Sequence, residues 1–218
     1  QASNIYCTLR NTLRYQLANL SGFDAQKDGL ALDKCLPIDQ WVVAETASLV
    51  EEVSSANERF EFAKAYLAIT RFCQQTLSAV YHDCIKDRMY TCGEKSLERR
   101  SAQTALDIVF NNLTRLLAPF IPFTADEAWS FRYENKEYSE NSVHLQSYPA
   151  VLPVWKTTET VAADVRELLA LKAKANEALE GLRKAKTIGK ALEAKLTLKG
   201  GNSALYKKYA EALPELFI

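Results

Sequence analysis

Residues 102–117, Ala102-Gln103-Thr104-Ala105-Leu106-Asp107-Ile108-Val109-Phe110-Asn111-Asn112-Leu113-Thr114-Arg115-Leu116-Leu117, decide the fold class. Ala102, Ala105, Leu106, Val109, Leu113, Leu116 and Leu117 recur every three or four positions. That spacing puts them on one face of an α-helix, whereas a strand would scatter them over both faces. Pro119 stops the run, because its ring lacks a backbone donor and clashes with the preceding turn. Ser96, with Arg99 three residues on, supplies only a weak cap at the start.

The same period repeats on either side. Ser3 can cap a helix over about 4–20, carried by Ile5, Leu9, Leu13, Leu17 and Leu20 and stopped by Ser21-Gly22. Pro37 suits the first turn of a helix over about 38–59, and a third runs over about 61–90 after a break at Arg59-Phe60-Glu61. Thr124-Ala125-Asp126-Glu127 reads as a capping box for a short helix ending near Phe131, and Tyr133 to Pro153 reads as a connector. Beyond Pro153 a Lys- and Ala-rich helix over about 158–187 is expected from Val161, Val165, Leu168, Leu169, Leu179 and Leu182. Glu193 to Leu198 alternates like a half-exposed strand, Gly200-Gly201 turns, and Ser203 caps a last helix over about 204–212. The expected architecture is mainly α: a helical bundle over residues 1–153, then a long helix and a small α+β appendage over 154–218.

A chain of 218 residues with 48% hydrophobic and 25% charged residues has enough apolar surface for a core, which excludes a disordered chain. No run approaches the roughly 18 apolar residues of a membrane span, and Gln1-Ala2-Ser3-Asn4 begins no signal-like segment, so a cytoplasmic monomer is expected. Five cysteines, an odd number, fit reduced thiols. Zero net charge excludes a uniformly basic nucleic-acid binder, but the charge is uneven. Residues 1–155 carry 15 Lys and Arg against 19 Asp and Glu; residues 156–218 carry 12 against 8. Any RNA surface must be a local patch.

Three patches qualify. Arg10 and Arg14 share a helix face with Asn11 and Tyr15 nearby, a combination able to neutralise phosphates and stack an unpaired base. Lys86, Arg88 and Tyr90 close the third helix, with Arg99 and Arg100 just beyond. Arg183, Lys184, Lys186, Lys190 and Lys195 make the appendage basic. Each patch also fits an ordinary solvated helix face or cations favoured at a helix C-terminus. His82, Cys84 and Cys92 lie close in sequence but lack a fourth ligand and any Cys-x-x-Cys pair, so no metal is expected. Neither His82 nor His144 has the companions of a catalytic acid or base, and no phosphate-binding loop is present, so no catalytic residue is assigned.

Residues Arg10-Asn11-Thr12-Leu13-Arg14-Tyr15-Gln16-Leu17-Ala18-Asn19-Leu20 resemble the first anticodon-domain helix of isoleucyl-tRNA synthetases, which are class I aminoacyl-tRNA synthetases. Ile85-Lys86-Asp87-Arg88-Met89-Tyr90 is similar to the family's next signature, with Met89 in place of the usual Leu. Arg99 to Ala105, Leu116 to Pro119, Pro122 to Trp129, Ser142 to Leu145 and Lys186 to Ala194 follow in the family's order. The resemblance covers nearly the whole chain. It implies an anticodon-binding helical bundle that grips the anticodon stem-loop of isoleucine tRNA. The parent enzyme would attach isoleucine to that tRNA using ATP and Mg, with the catalytic domain of the same chain as partner. The family's two nucleotide-binding motifs, its editing domain and its cysteine-ligated zinc module are not found in these residues, so no cofactor and no independent activity are expected. Motif position and side-chain chemistry together suggest Arg10, Arg14, Lys86, Arg88, Arg99 and Arg100 as phosphate contacts, and Asn11, Tyr15 and Tyr90 as base or sugar contacts. The alternatives are the related domain of a valyl, leucyl or methionyl synthetase, or a helical protein-interaction module. Arg10-Asn11-Thr12 and Ile188-Gly189-Lys190-Ala191-Leu192-Glu193-Ala194 favour the isoleucine family.

Overall fold

A computed structural model describes residues 2–133, 141–189, 193–198 and 201–217. Helix α3 (Pro37–Glu58) is the hub, buried on nearly every side by Ile38, Trp41, Val42, Val43, Leu49, Val50 and Val53. A helix apolar all round needs partners all round. α4 (Phe62–Arg71), α6 (Leu97–Leu117) and α8 (Glu159–Lys184) supply them.

α3 ends in a left-handed turn rather than a glycine. Phe60, at φ 58°, donates its N–H to the Asn57 carbonyl at 3.0 Å, and Glu61 donates to Ala56 at 2.8 Å. This paired closure satisfies two terminal carbonyls and produces the break expected at 59–61. The helix beyond it has three parts. α4 continues without interruption into a π-helical segment, Phe72–Tyr81, and then α5 (His82–Thr91). The apolar stripe correctly indicates one helical rod, but a change of hydrogen-bond register within it leaves no mark in the period.

α6 is fully built as expected, from the Ser96 hydroxyl that accepts from the Arg99 N–H at 3.2 Å to the buried Leu116 and Leu117. α1 (Ala2–Asn19) packs on α6, on the π-helical segment and on α7 (Pro122–Tyr133). α7 starts at Pro122, so Thr124 is inside the helix and not its cap. The Thr124 hydroxyl instead shares a 3.0 Å hydrogen bond with the Tyr6 hydroxyl. The Asp126 carboxylate accepts from the Ser142 hydroxyl and, at 3.1 Å, from the Val143 N–H, fixing the 3-10 turn Val143–Leu145 against α7. A short α2 (Ala25–Asp28), capped by Asp24, links α1 towards α3.

Past residue 153 the chain adds to the same core. Ala162, Val165 and Leu168 of α8 are fully buried in one cluster with α3 and α6 side chains. Arg166 ties α8 to Glu45 of α3 at 2.7 Å and to Glu159 at 2.6 Å. Residues 193–198 form no strand, and the described residues contain none. An alternating pattern becomes a strand only beside a second extended segment, and no such ladder is present there. The expected last helix over about 204–212 is shorter, α9 (Ser203–Lys208), capped by the Asn202 side chain rather than by Ser203, and a further short helix, α10 (Leu213–Phe217), follows it with Pro214 in its first turn. Residues 134–140 of the connector, Lys190 and Gly200 lie outside the described residues.

Candidate nucleic-acid interface

α1 buries Leu9, Leu13 and Gln16 and turns Arg10, Asn11 and Arg14 outward. Among the described residues, neither Arg10 nor Arg14 forms an ion pair or a side-chain hydrogen bond, so both guanidinium groups are free for an incoming anion. This exposed ridge separates two grooves. The larger, about 1160 Å³, lies towards α7 and the 21–26 turn, with Arg10 and Arg14 on one side and Phe131 and Arg132 on the other. The smaller, about 520 Å³, lies towards the π-helical segment and is lined by Asn11 and Tyr15 of α1 and by Gln74, Ser78 and His82 opposite.

Tyr15 is half-buried. Its ring stacks on His82 with centroids 4.1 Å apart and planes 26° apart, and its hydroxyl donates to the His82 carbonyl at 3.4 Å. Burial, then the nearby Tyr90 phenol, raises the Tyr15 pKa, so the ring is neutral. Burial lowers the His82 pKa to about 4, so the imidazole is also uncharged near neutral pH. Tyr90 is 72% exposed and lies within electrostatic reach of Tyr15, which joins the end of α5 to the α1 face.

The cations of the second patch divide by environment. Lys86, partly exposed, pairs with Asp83 at 2.7 Å. Arg88 is only 6% exposed and points inward. It donates two hydrogen bonds to the Asp39 carboxylate, at 2.9 and 2.8 Å, and its Nε lies 2.9 Å from Glu215. Asp39 is completely buried and also accepts from the hydroxyls of Tyr81, at 2.7 Å, and Ser101. A guanidinium so enclosed is not offered to a phosphate in this conformation; Arg88 ties α5 to the first turn of α3 and to α10. Arg100 is held by Asp28 at 3.0 Å and by Gln103 at 2.9 Å, with its guanidinium 5.6 Å from the Phe23 ring centre. Arg99 is half-buried and reaches the Cys92 carbonyl at 3.4 Å. Within the first two patches the free guanidinium groups are therefore those of Arg10 and Arg14.

In the third patch Arg183 pairs with Glu180, while Lys184, Lys186 and Lys195 are exposed. The five thiols are unpaired, with Cys35, Cys73 and Cys84 buried. Among the described residues no three side chains of His, Cys, Asp or Glu converge as metal ligands. Sequence reading missed Gln74, Ser78 and His82. Their four-residue spacing on one helical rod was the available signal, but polar residues at that spacing equally describe a solvated face.

The bundle has a counterpart among known families: residues 39–198 match the anticodon-binding domain of tRNA ligase. The chain therefore belongs to that family of anticodon-binding domains. Among individual proteins it is similar to the isoleucine–tRNA ligase of Fervidobacterium nodosum, with 37% identity over 100% of this chain and 24% of that ligase. It is similar likewise to those of Syntrophotalea carbinolica, with 39% identity over 99% of this chain and 23% of the ligase, and Methylacidiphilum infernorum, with 41% over 90% and 21%. The chain thus spans about a quarter of the length of these relatives.

Proposed function

We propose that this chain grips the anticodon stem-loop of isoleucine tRNA, acting as the anticodon-binding region of an isoleucine–tRNA ligase. The observation that carries this reading is the α1 ridge, on which Arg10 and Arg14 stand exposed and unpaired among the described residues, in a chain whose other candidate arginines are held by carboxylates or packed against neighbours. Free guanidinium groups bind phosphates without first breaking a protein ion pair. Tyr15, Tyr90 and Asn11 beside them offer stacking and hydrogen-bonding surface for loop nucleotides. Aminoacylation with ATP and Mg is assigned to other regions of the parent chain, whose catalytic domain is the expected partner. No part of that chemistry is assigned to these residues, and the chain alone is expected to show no ATP–pyrophosphate exchange. We place the protein in the cytoplasm, as a monomer; among the described residues no helix is long and apolar enough to cross a membrane.

Fluorescence anisotropy with isoleucine tRNA and with a valine or methionine tRNA, at two salt concentrations, tests the reading. Salt-sensitive binding that favours isoleucine tRNA is expected. Arg10→Ala together with Arg14→Ala should flatten the slope of log K against log salt by roughly 0.7 to 0.9 per lost phosphate contact. An unchanged affinity and slope would rule out this face.

A further inference from the structure

One end of the bundle exposes a band of aromatic rings that neither the core nor the RNA ridge uses. Phe60 is 79% exposed, Phe123 is 90% exposed and Phe62 is exposed as well. All three lie outside the packed core. Phe60 and Phe62 meet edge to face, with ring centres 6.0 Å apart. Phe62 stands one turn before Tyr66 on the same face of α4. The Tyr66 ring lies 5.7 Å from that of Phe120, three residues before Phe123 at the corner between α6 and α7. Tyr6 of α1, also exposed, joins the band through its hydrogen bond with Thr124.

The turn itself does not call for a ring at position 60. Its backbone, at φ 58°, lies in the left-handed region, where glycine escapes the clash that any Cβ brings. A phenylalanine there strains the turn and leaves its ring in water. The charges flanking the Phe60–Phe62 pair are closed on themselves, with Glu61 held by Arg59 at 3.1 Å and by Lys64 at 3.5 Å. A nucleic acid would find neither flanking cation free, whereas an apolar protein surface would meet no unpaired charge to desolvate.

The size of the band selects its occupant. At about 200 Å² for a whole ring, Phe60, Phe62, Phe123 and Tyr6 together expose roughly 500 Å². A separate protein or a second copy of this chain needs about 800 Å² on each side for a stable complex. Domains of one chain manage with about 600–1,500 Å² in total, or half that on each side. A covalent tether makes the smaller area sufficient, because it keeps the partner at a high effective concentration. A chain that spans about a quarter of its relatives' length leaves the larger part of such a polypeptide to serve as that tethered partner.

We propose that this aromatic band, formed by Tyr6, Phe60, Phe62 and Phe123, is the surface on which the remainder of the parent polypeptide docks. The inference rests on the reading of the chain as a region of a larger ligase and is independent of RNA binding. α1 then serves two surfaces, because Tyr6 stands one turn before Arg10 and two before Arg14 on one helix face.

Hydroxyl-radical footprinting of the full-length ligase that carries this region, beside this chain on its own, reads the exposure of each ring. Oxidation of Phe60, Phe62 and Phe123 should be about tenfold slower in the full-length ligase, since a ring at the centre of an interface is packed as tightly as one in a protein interior. The double variant Phe60→Gly, Phe123→Ser should leave the melting temperature of the chain alone unchanged or raised. In the full-length ligase it should return Phe62 to the oxidation rate of the chain alone. Equal rates in the two proteins, or a Phe62 still protected in the variant ligase, would overturn the proposal. So would protection in the chain alone that grows with its concentration, the mark of a contact between copies, or that appears on adding a stem-loop RNA, the mark of a stacking surface. A lower melting temperature of the variant chain would show that the rings serve the bundle, and would overturn it too. Rings protected in the full-length ligase, in a chain that binds no RNA, would refute the RNA reading and support the docking surface.

Discussion

Replacing Arg88 with alanine separates two physical roles that its sequence position leaves open. In the structure its guanidinium donates two charge-assisted hydrogen bonds to Asp39, which is completely buried, and its Nε lies 2.9 Å from Glu215. Removing one partner of a buried ion pair leaves an uncompensated charge and typically costs about 3–5 kcal/mol. Asp39 would keep its bonds from Tyr81 and Ser101, which places the expected loss towards the lower end. For a chain of this size the cost corresponds to a fall in melting temperature of about 6–20 °C. Arg88→Met combined with Asp39→Leu should cost clearly less than the sum of the single changes, because the orphaned charge disappears with its partner. Urea denaturation followed by circular dichroism measures the stabilities, and RNA binding at two salt concentrations provides the second readout. A phosphate-contacting arginine would behave in the opposite way, with stability within about 0.5 kcal/mol of wild type and a flatter salt slope. That pattern in Arg88→Ala would refute the buried role.

Acid should weaken the fold through His82. With its pKa lowered to about 4 in the folded chain against about 6.5 when unfolded, the unfolded state takes up a proton first as pH falls. The stability associated with neutral His82 is therefore complete above pH 6.5 and is lost as pH drops towards 4, by roughly 3 kcal/mol. Urea titrations across this range should show that slope, and a His82→Gln variant should lack it; parallel profiles would argue against a buried neutral imidazole. Leu168→Ala should cost about 2–5 kcal/mol, because Leu168 of α8 is fully buried against the bundle. A loss under about 1 kcal/mol in the same denaturation assay would mean that α8 lies on the surface.

Helices were legible in the sequence wherever the apolar period was long. The stripes from Ala102 to Leu117 and from Ile38 to Ala56 predict α6 and α3 almost to their ends, because a period near 3.6 leaves one helical face to bury. Elements needing a partner or a precise start were not. The alternation over 193–198 met no second strand, the Thr124 cap gave way to Pro122, and the final helix ended at Lys208, short of the expected 212. The π-helical register of Phe72–Tyr81 is likewise a matter of backbone bonding that side-chain order does not encode.

By itself the sequence determined that the chain is a helical bundle, that its charge is uneven, and that Arg10, Asn11, Arg14 and Tyr15 share a helix. Only the tertiary structure decided which cations are free. Arg88 and Arg10 are the same residue type on comparable helices, yet Asp39 lies 49 positions from Arg88 and meets it only once α3 and α5 pack together. Likewise Tyr15 and His82 form the wall of a groove only because α1 lies against the π-helical rod. A charge is available or occupied according to neighbours distant in sequence, and local spacing carries no record of them.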